Sequence, residues 1–168
     1  MFGPFEKSVS SRLLKDISKQ ANLIFARDSV SYNLIQNEVP FRKNIFQAPD
    51  ITITTKAKNS ERGLLEGVHS YGCIVPNARM FDRGDSGWAS TYVNRLVLAA
   101  QEMHSRGIIP VILVHSIDGS EDQPIAEKVK KLVGNDICLI KQADDPLETK
   151  NFISGSQLLV GSRYHSIV

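Results

Sequence analysis

The chain has 168 residues, with 20 Lys and Arg against 18 Asp and Glu, for a formal net charge of +2. Hydrophobic residues make up 42% and charged residues 23%, which excludes a disordered chain. A charge so near balance gives no composition-level case for nucleic acid or an acidic membrane surface as partner.

In chain order, the first expected element is a helix over roughly 7–20, where Val9, Leu13, Leu14 and Ile17 recur at helical spacing. The apolar run Leu23-Ile24-Phe25-Ala26 reads as a buried strand ending at Arg27-Asp28, and a helix over 29–37 is capped by Asp28 or Ser29. A charged pair closing a strand, such as Arg27-Asp28, reads first as an ion pair with helix capping. Residues 45–50 form a short strand, and 51–70 a polar excursion or linker. From residue 71 the pattern sharpens. Tyr71 to Val75 is a strand ending at Pro76-Asn77. A helix over 86–106 keeps Tyr92, Leu96, Ala99 and Met103 on one face, and Gly107 is the left-handed residue that ends it. Ile108 to Val114 is a near-continuous apolar strand. Asp122 caps a helix with Pro124 in its first turn and Ile125, Val129 and Leu132 as its buried stripe. Ile137 to Ile140 is a strand, Asp145 opens a helix to about 154, and Gln157 to Val160 is the last strand.

Cys73 and Cys138 sit inside apolar runs and read as packed thiols. No apolar stretch approaches the roughly 20 residues of a membrane span. The opening residues lack the basic-then-apolar pattern of a secretory leader. The expectation is a cytoplasmic chain without a transmembrane segment, at most peripheral at the inner face of the membrane.

Strands alternating with helices imply an α/β fold with a parallel sheet covered on both faces. Right-handed crossovers deliver the carboxyl ends of all strands to one edge, where open α/β sheets bind ligands. That edge receives Asn77 and Arg79, His115 and Ser116, Lys141, and Arg163 with His165. The strongest signal is Val160-Gly161-Ser162-Arg163-Tyr164-His165-Ser166, a strand feeding a turn and a helix start. Arg163 can grip a carboxylate or phosphate bidentately and His165 can move a proton near neutral pH; the alternative is a surface arginine and a helix-capping histidine. Arg79 faces the same crevice or is a loop arginine paired with Asp82 or Asp85. His115-Ser116 touches a ligand or simply ends its strand. Asp118, Glu121 and Asp122 match no calcium loop and read as a solvated acidic turn. The dinucleotide, P-loop and zinc-protease motifs are missing, so neither a cofactor nor a metal is expected.

Four segments together resemble the polysaccharide pyruvyl transferase family: Phe2-Gly3-Pro4-Phe5, Phe25-Ala26-Arg27-Asp28-Ser29-Val30-Ser31-Tyr32, Ile74-Val75-Pro76-Asn77-Ala78-Arg79-Met80 and Gly161-Ser162-Arg163-Tyr164-His165-Ser166. The resemblance implies two Rossmann-like domains arranged as in glycosyltransferase-B enzymes. Residues 1–65 would be the end of the first and 66–168 most of the second, with both ends of the chain incomplete. It implies transfer of pyruvate from phosphoenolpyruvate to a sugar hydroxyl, forming a ketal on a cell-surface polysaccharide or a lipid-linked oligosaccharide precursor. By the same resemblance His165 is the acid and Arg79 most nearly matches a donor-binding arginine; the sheet-edge reading adds Arg163, Asn77 and Ser116 as substrate-binding residues. A glycosyltransferase or sugar-nucleotide enzyme of the same fold, or an inactive fragment, is the competing expectation.

Overall fold

The structure, a computed structural model, describes residues 4–56, 68, 70–82, 86–115, 121–142 and 145–167. It divides into two units, Met1–Thr55 and Lys56–Val168.

The first unit holds α1 (Ser8–Gln20), β1 (Ile24–Ala26), α2 (Ser29–Glu38), β2 (Ile45–Gln47) and α3 (Ile51–Thr54). β1 and β2 pair in parallel, Phe25 opposite Phe46. Leu14, Ala26, Ile35, Val39 and Ile45 form the core. Only Leu14 of the expected α1 stripe is buried; Val9, Leu13 and Ile17 are exposed. Asp28 caps α2 as expected, accepting from the backbone N–H of Ser31 at 2.7 Å. Arg27 pairs with Asp50 at 3.2 Å. The excursion expected from residue 51 begins instead as a helical turn, because Asp50 accepts from the Thr52 N–H at 3.1 Å and caps it.

The second unit contains β3 (Tyr71–Val75), α4 (Ser86–Ser105), β4 (Ile109–Val114), α5 (Gln123–Val133), β5 (Leu139–Gln142), α6 (Pro146–Ser154), β6 (Leu158–Gly161) and α7 (Tyr164–Ile167). The four strands form a parallel sheet in the order β5-β4-β3-β6. β3 and β4 are buried along nearly their whole length, which is why they read as apolar runs without alternation. Ile74, Ile112 and Val114 face α4 and α5. Tyr71, Cys73, Val75, Val111 and Leu113 face Phe152 of α6. Two crossovers in one direction put α4 and α5 on one face, and the return to the far side of β3 puts α6 on the other, as right-handed connections require.

Local chemistry sets the element ends. Gly107 has φ +72°, and the Ile108 N–H reaches the Met103 carbonyl at 3.0 Å while the Gly107 N–H reaches that of His104 at 2.9 Å; this is the Schellman arrangement, at the position expected for it. Asp145 caps α6 through the Leu147 N–H at 2.7 Å. Two expectations shift. β5 begins two residues late because Ile137 and Cys138 fill the core beneath the sheet before the ladder starts. On α5 the buried stripe is Ile125, Ala126, Val129 and Val133, with Leu132 half-exposed.

Both cysteines are free and buried. Desolvation pushes each thiol from the ordinary 9.0 to about 11. Between those values the unfolded chain has released protons that the folded chain still holds, so folding loses stability as pH rises. The stability tied to the thiols is therefore complete below about pH 9 and is lost as pH climbs towards 11. Urea midpoints measured across that range should fall; a flat profile would mean that the thiols ionise without unfolding.

Candidate functional site

In the second unit the strand order reverses at β3. β4 and β5 step away on one side, and β6 returns to the other. Ligands of open α/β sheets bind in the crevice outside the carboxyl ends at such a reversal. The loop after β3 and the turn after β6 wall this crevice.

Hydrogen bonds join the two walls directly. The Asn77 amide donates to the Ser162 carbonyl at 3.0 Å, and its carbonyl oxygen accepts from the Arg79 N–H at 3.1 Å, capping a short 3-10 turn over Ala78–Met80. The Tyr92 hydroxyl accepts from the Asn77 N–H at 2.9 Å and lies 2.5 Å from the Ser162 hydroxyl. Ser162 in turn donates to the Val75 carbonyl at 3.1 Å. Asn77 therefore shapes the crevice with both ends of its side chain.

Two consecutive carboxylates hold the two arginines. Glu121 and Asp82 each lie 3.1 Å from the Arg79 guanidinium, which is two-thirds exposed. Asp122 is fully buried. Its Oδ2 accepts from Arg163 Nε at 2.8 Å and pairs with Nη2 at 2.6 Å, while its Oδ1 accepts from the Ala78 N–H at 3.0 Å. The expectation of a solvated acidic turn is thus wrong for Asp122; it stands at the N-cap position of α5 as expected, but its side chain makes no cap bond. The reason is non-local, since its partners lie 41 and 44 residues away.

His165 is exposed on α7, its ring edge-on to Tyr164 with centroids 5.2 Å apart. His115, at the end of β4, is half-buried. Burial holds its imidazole below the ordinary value, and the charges of Arg163 and His165 push the same way. Lys141 pairs with Glu148 at 3.3 Å. Ser116, Asp118 and Asp85 lie outside the described residues. The structure thus brings Asn77, Arg79 and Arg163 to one crevice, with His165 two residues beyond Arg163. The sequence reading missed the roles of Asp122, Glu121 and Tyr92. For Tyr92 a signal existed, since a tyrosine in an apolar helix stripe must find a partner for its hydroxyl when buried.

Gly161 ends β6 where a side chain has no room. A Cβ there would lie 2.6 Å from the Ser166 hydroxyl and 3.2 Å from Ile167 Cγ1. Ser166 is buried and its hydroxyl is committed to the Arg163 carbonyl at 2.6 Å. Gly161→Ala should displace the turn that carries Arg163 and His165 and cost about 1–3 kcal/mol. Thermal denaturation checks this; an unchanged Tm would show that Ser166 swings aside freely.

The polysaccharide pyruvyl transferase family model matches residues 2–168, bearing out the resemblance of the four segments. No curated protein and no solved structure gives a match.

Proposed function

From the premise that the chain belongs to the polysaccharide pyruvyl transferase family, a family of transferases, we propose that phosphoenolpyruvate binds in the crevice between the β3 loop and the β6 turn. The observation that carries this reading is the convergence of Arg79 and Arg163 on that crevice beside the turn bearing His165. The donor offers a carboxylate and a phosphate, and two guanidinium groups match that pair of anions.

Their two ion pairs favour different roles. Exposed, solvent-screened pairs such as those of Arg79 contribute little, so Arg79 can exchange Asp82 or Glu121 for a ligand at little cost. Arg163 cannot leave the buried Asp122 so cheaply. It would grip the donor with Nη1, which has no partner among the described residues. Asn77 completes the wall, and Ser116 is assigned to substrate binding from its place in the sequence alone.

In the proposed reaction the His165 imidazolium gives its proton to the methylene carbon of phosphoenolpyruvate. The carbon–carbon double bond supplies that bond's electrons, leaving positive character at C2. A sugar hydroxyl attacks C2 and releases its proton. Phosphate departs with the electrons of its bond to C2, and a second hydroxyl of the sugar closes the ketal, releasing the second proton.

Membership implies a sugar acceptor; we assign it to a polysaccharide or a lipid-linked oligosaccharide precursor met at the cytoplasmic face of a membrane. Among the described residues no helix is long and apolar enough to cross one. The architecture proposed for the intact enzyme is the two-domain glycosyltransferase-B arrangement. The test is acceptor-dependent release of inorganic phosphate from phosphoenolpyruvate. Binding of sugar nucleotides without such release would reassign the crevice to glycosyl transfer.

A further inference from the structure

We propose that Asp122 is a positioning residue that presets Arg163 and the β3 loop for an anionic ligand, an inference that rests on the crevice being the donor site. Among the described residues, four aspartates stand at the N-cap position of a helix. Asp28, Asp50 and Asp145 each accept a backbone N–H from the first turn of their own helix. Asp122 does not. Its backbone is already helical, at φ −93° and ψ −24°, and its side chain makes no cap bond. It is also the only one of the four that is fully buried.

Its carboxylate is instead committed to both walls of the crevice. One oxygen holds the Ala78 N–H beside Arg79, and the other holds Nε and Nη2 of Arg163. A buried ion pair is a poor device for stability, because apolar residues of similar volume do as well or better. It is a good device for orientation. With Nε and Nη2 fixed, the guanidinium plane cannot rotate, and Nη1 is left for the ligand. Glu121, one residue earlier, holds Arg79. The segment that opens α5 therefore touches both arginines, but it is the buried pair that fixes Arg163 before any ligand arrives, which lowers the ordering cost of binding.

The test is a double-mutant cycle in the intact enzyme, with Asp122→Asn, Arg163→Leu and the double variant. Donor Kd is read by titration calorimetry with phosphoenolpyruvate, and Tm by calorimetric scanning. Asparagine can still accept from Ala78, but its amide turns a donor towards Arg163 or forfeits one bond. Asp122→Asn should weaken donor binding about tenfold or more, within the up to 10²-fold that misplacement of a positioned group costs. In the Arg163→Leu background the same change should leave Kd unmoved and raise Tm, since it removes the carboxylate stranded without its partner. Asp122 would be merely structural if Asp122→Asn lowered Tm with Kd unchanged, or if its effect on Kd multiplied with that of Arg163→Leu. Should Asp122→Asn not fold, Asp122→Glu carries the test: it keeps the charge, shifts the guanidinium by one methylene, and should still weaken binding. If the wild type binds a uridine diphosphate sugar and not phosphoenolpyruvate, the donor assignment falls, and the cycle read with that sugar nucleotide decides Asp122. Binding of neither overturns both.

Discussion

Replacing His165 with alanine is expected to lower kcat by about 10²–10⁴-fold, the usual worth of a general acid, while donor KM stays nearly unchanged. The split follows from the chemistry. Proton transfer to the methylene carbon belongs to the transition state, and an interaction made only there lowers kcat without weakening the ground-state complex. The structure makes the assignment stringent. His165 is exposed, and the buried Ser166 ties α7 back to the turn before it through the Arg163 carbonyl. Removing the imidazole should therefore leave the fold intact, so Tm should hold while turnover collapses. Steady-state kinetics with a phosphate-release assay, run beside thermal denaturation, checks both halves. Near-wild-type kcat would end the catalytic assignment. A large fall in Tm would make His165 a structural residue of the turn.

The second large effect concerns Arg163. Arg163→Leu strands the Asp122 carboxylate in the interior, and breaking a buried pair by removing one partner costs about 3–5 kcal/mol. In a unit of this size that lowers Tm on the order of 10 °C or more. Arg163→Lys separates stability from recognition. It keeps a cation near Asp122 and should preserve much of the stability, yet donor KM should rise because an ammonium held by Asp122 has no second, rigidly placed nitrogen to present to the donor as Nη1 does. If Arg163 only braces the turn, Arg163→Lys would leave donor KM at its wild-type value. The two measurements together distinguish a ligand-gripping arginine from a purely structural one.

Much of the fold is legible in the sequence because its determinants are local. The continuous apolar runs at 71–75 and 109–114 announce strands buried on both faces, and Asp28, Gly107 and Asp145 mark helix ends through contacts with residues two to five positions away. The crevice is half legible. Asn77, Arg79, Arg163 and His165 reach the same edge by topology alone, since parallel strands joined by helices deliver all their carboxyl ends there. The strand order, which decides that β3 and β6 are neighbours, is not written in any local pattern. Asp122 is the sharpest case. In sequence it is the last residue of an acidic turn before Gln123-Pro124, an environment indistinguishable from a solvated cap. What makes it buried is a pair of contacts with segments on either side of two crossovers. α1 fails for a different reason: Val9, Leu13 and Ile17 recur at helical spacing, but the packed line runs through Leu14 and Ser18.

The placement of β6 beside β3 has a consequence for how the polypeptide is made. Asn77 leaves the ribosome 85 residues before Ser162, the residue it bonds across the crevice. Until the segment from Leu158 to Gly161 emerges, β3 is a terminal strand with one row of backbone donors and acceptors facing water, the kind of edge that invites pairing with another chain. The half-made sheet of β3, β4 and β5 thus passes through a stage in which a strand buried along its whole length in the finished fold is open on one side. The act that protects this edge is the same act that builds the crevice, so a nascent chain leaves its sticky stage only at the moment its binding wall closes.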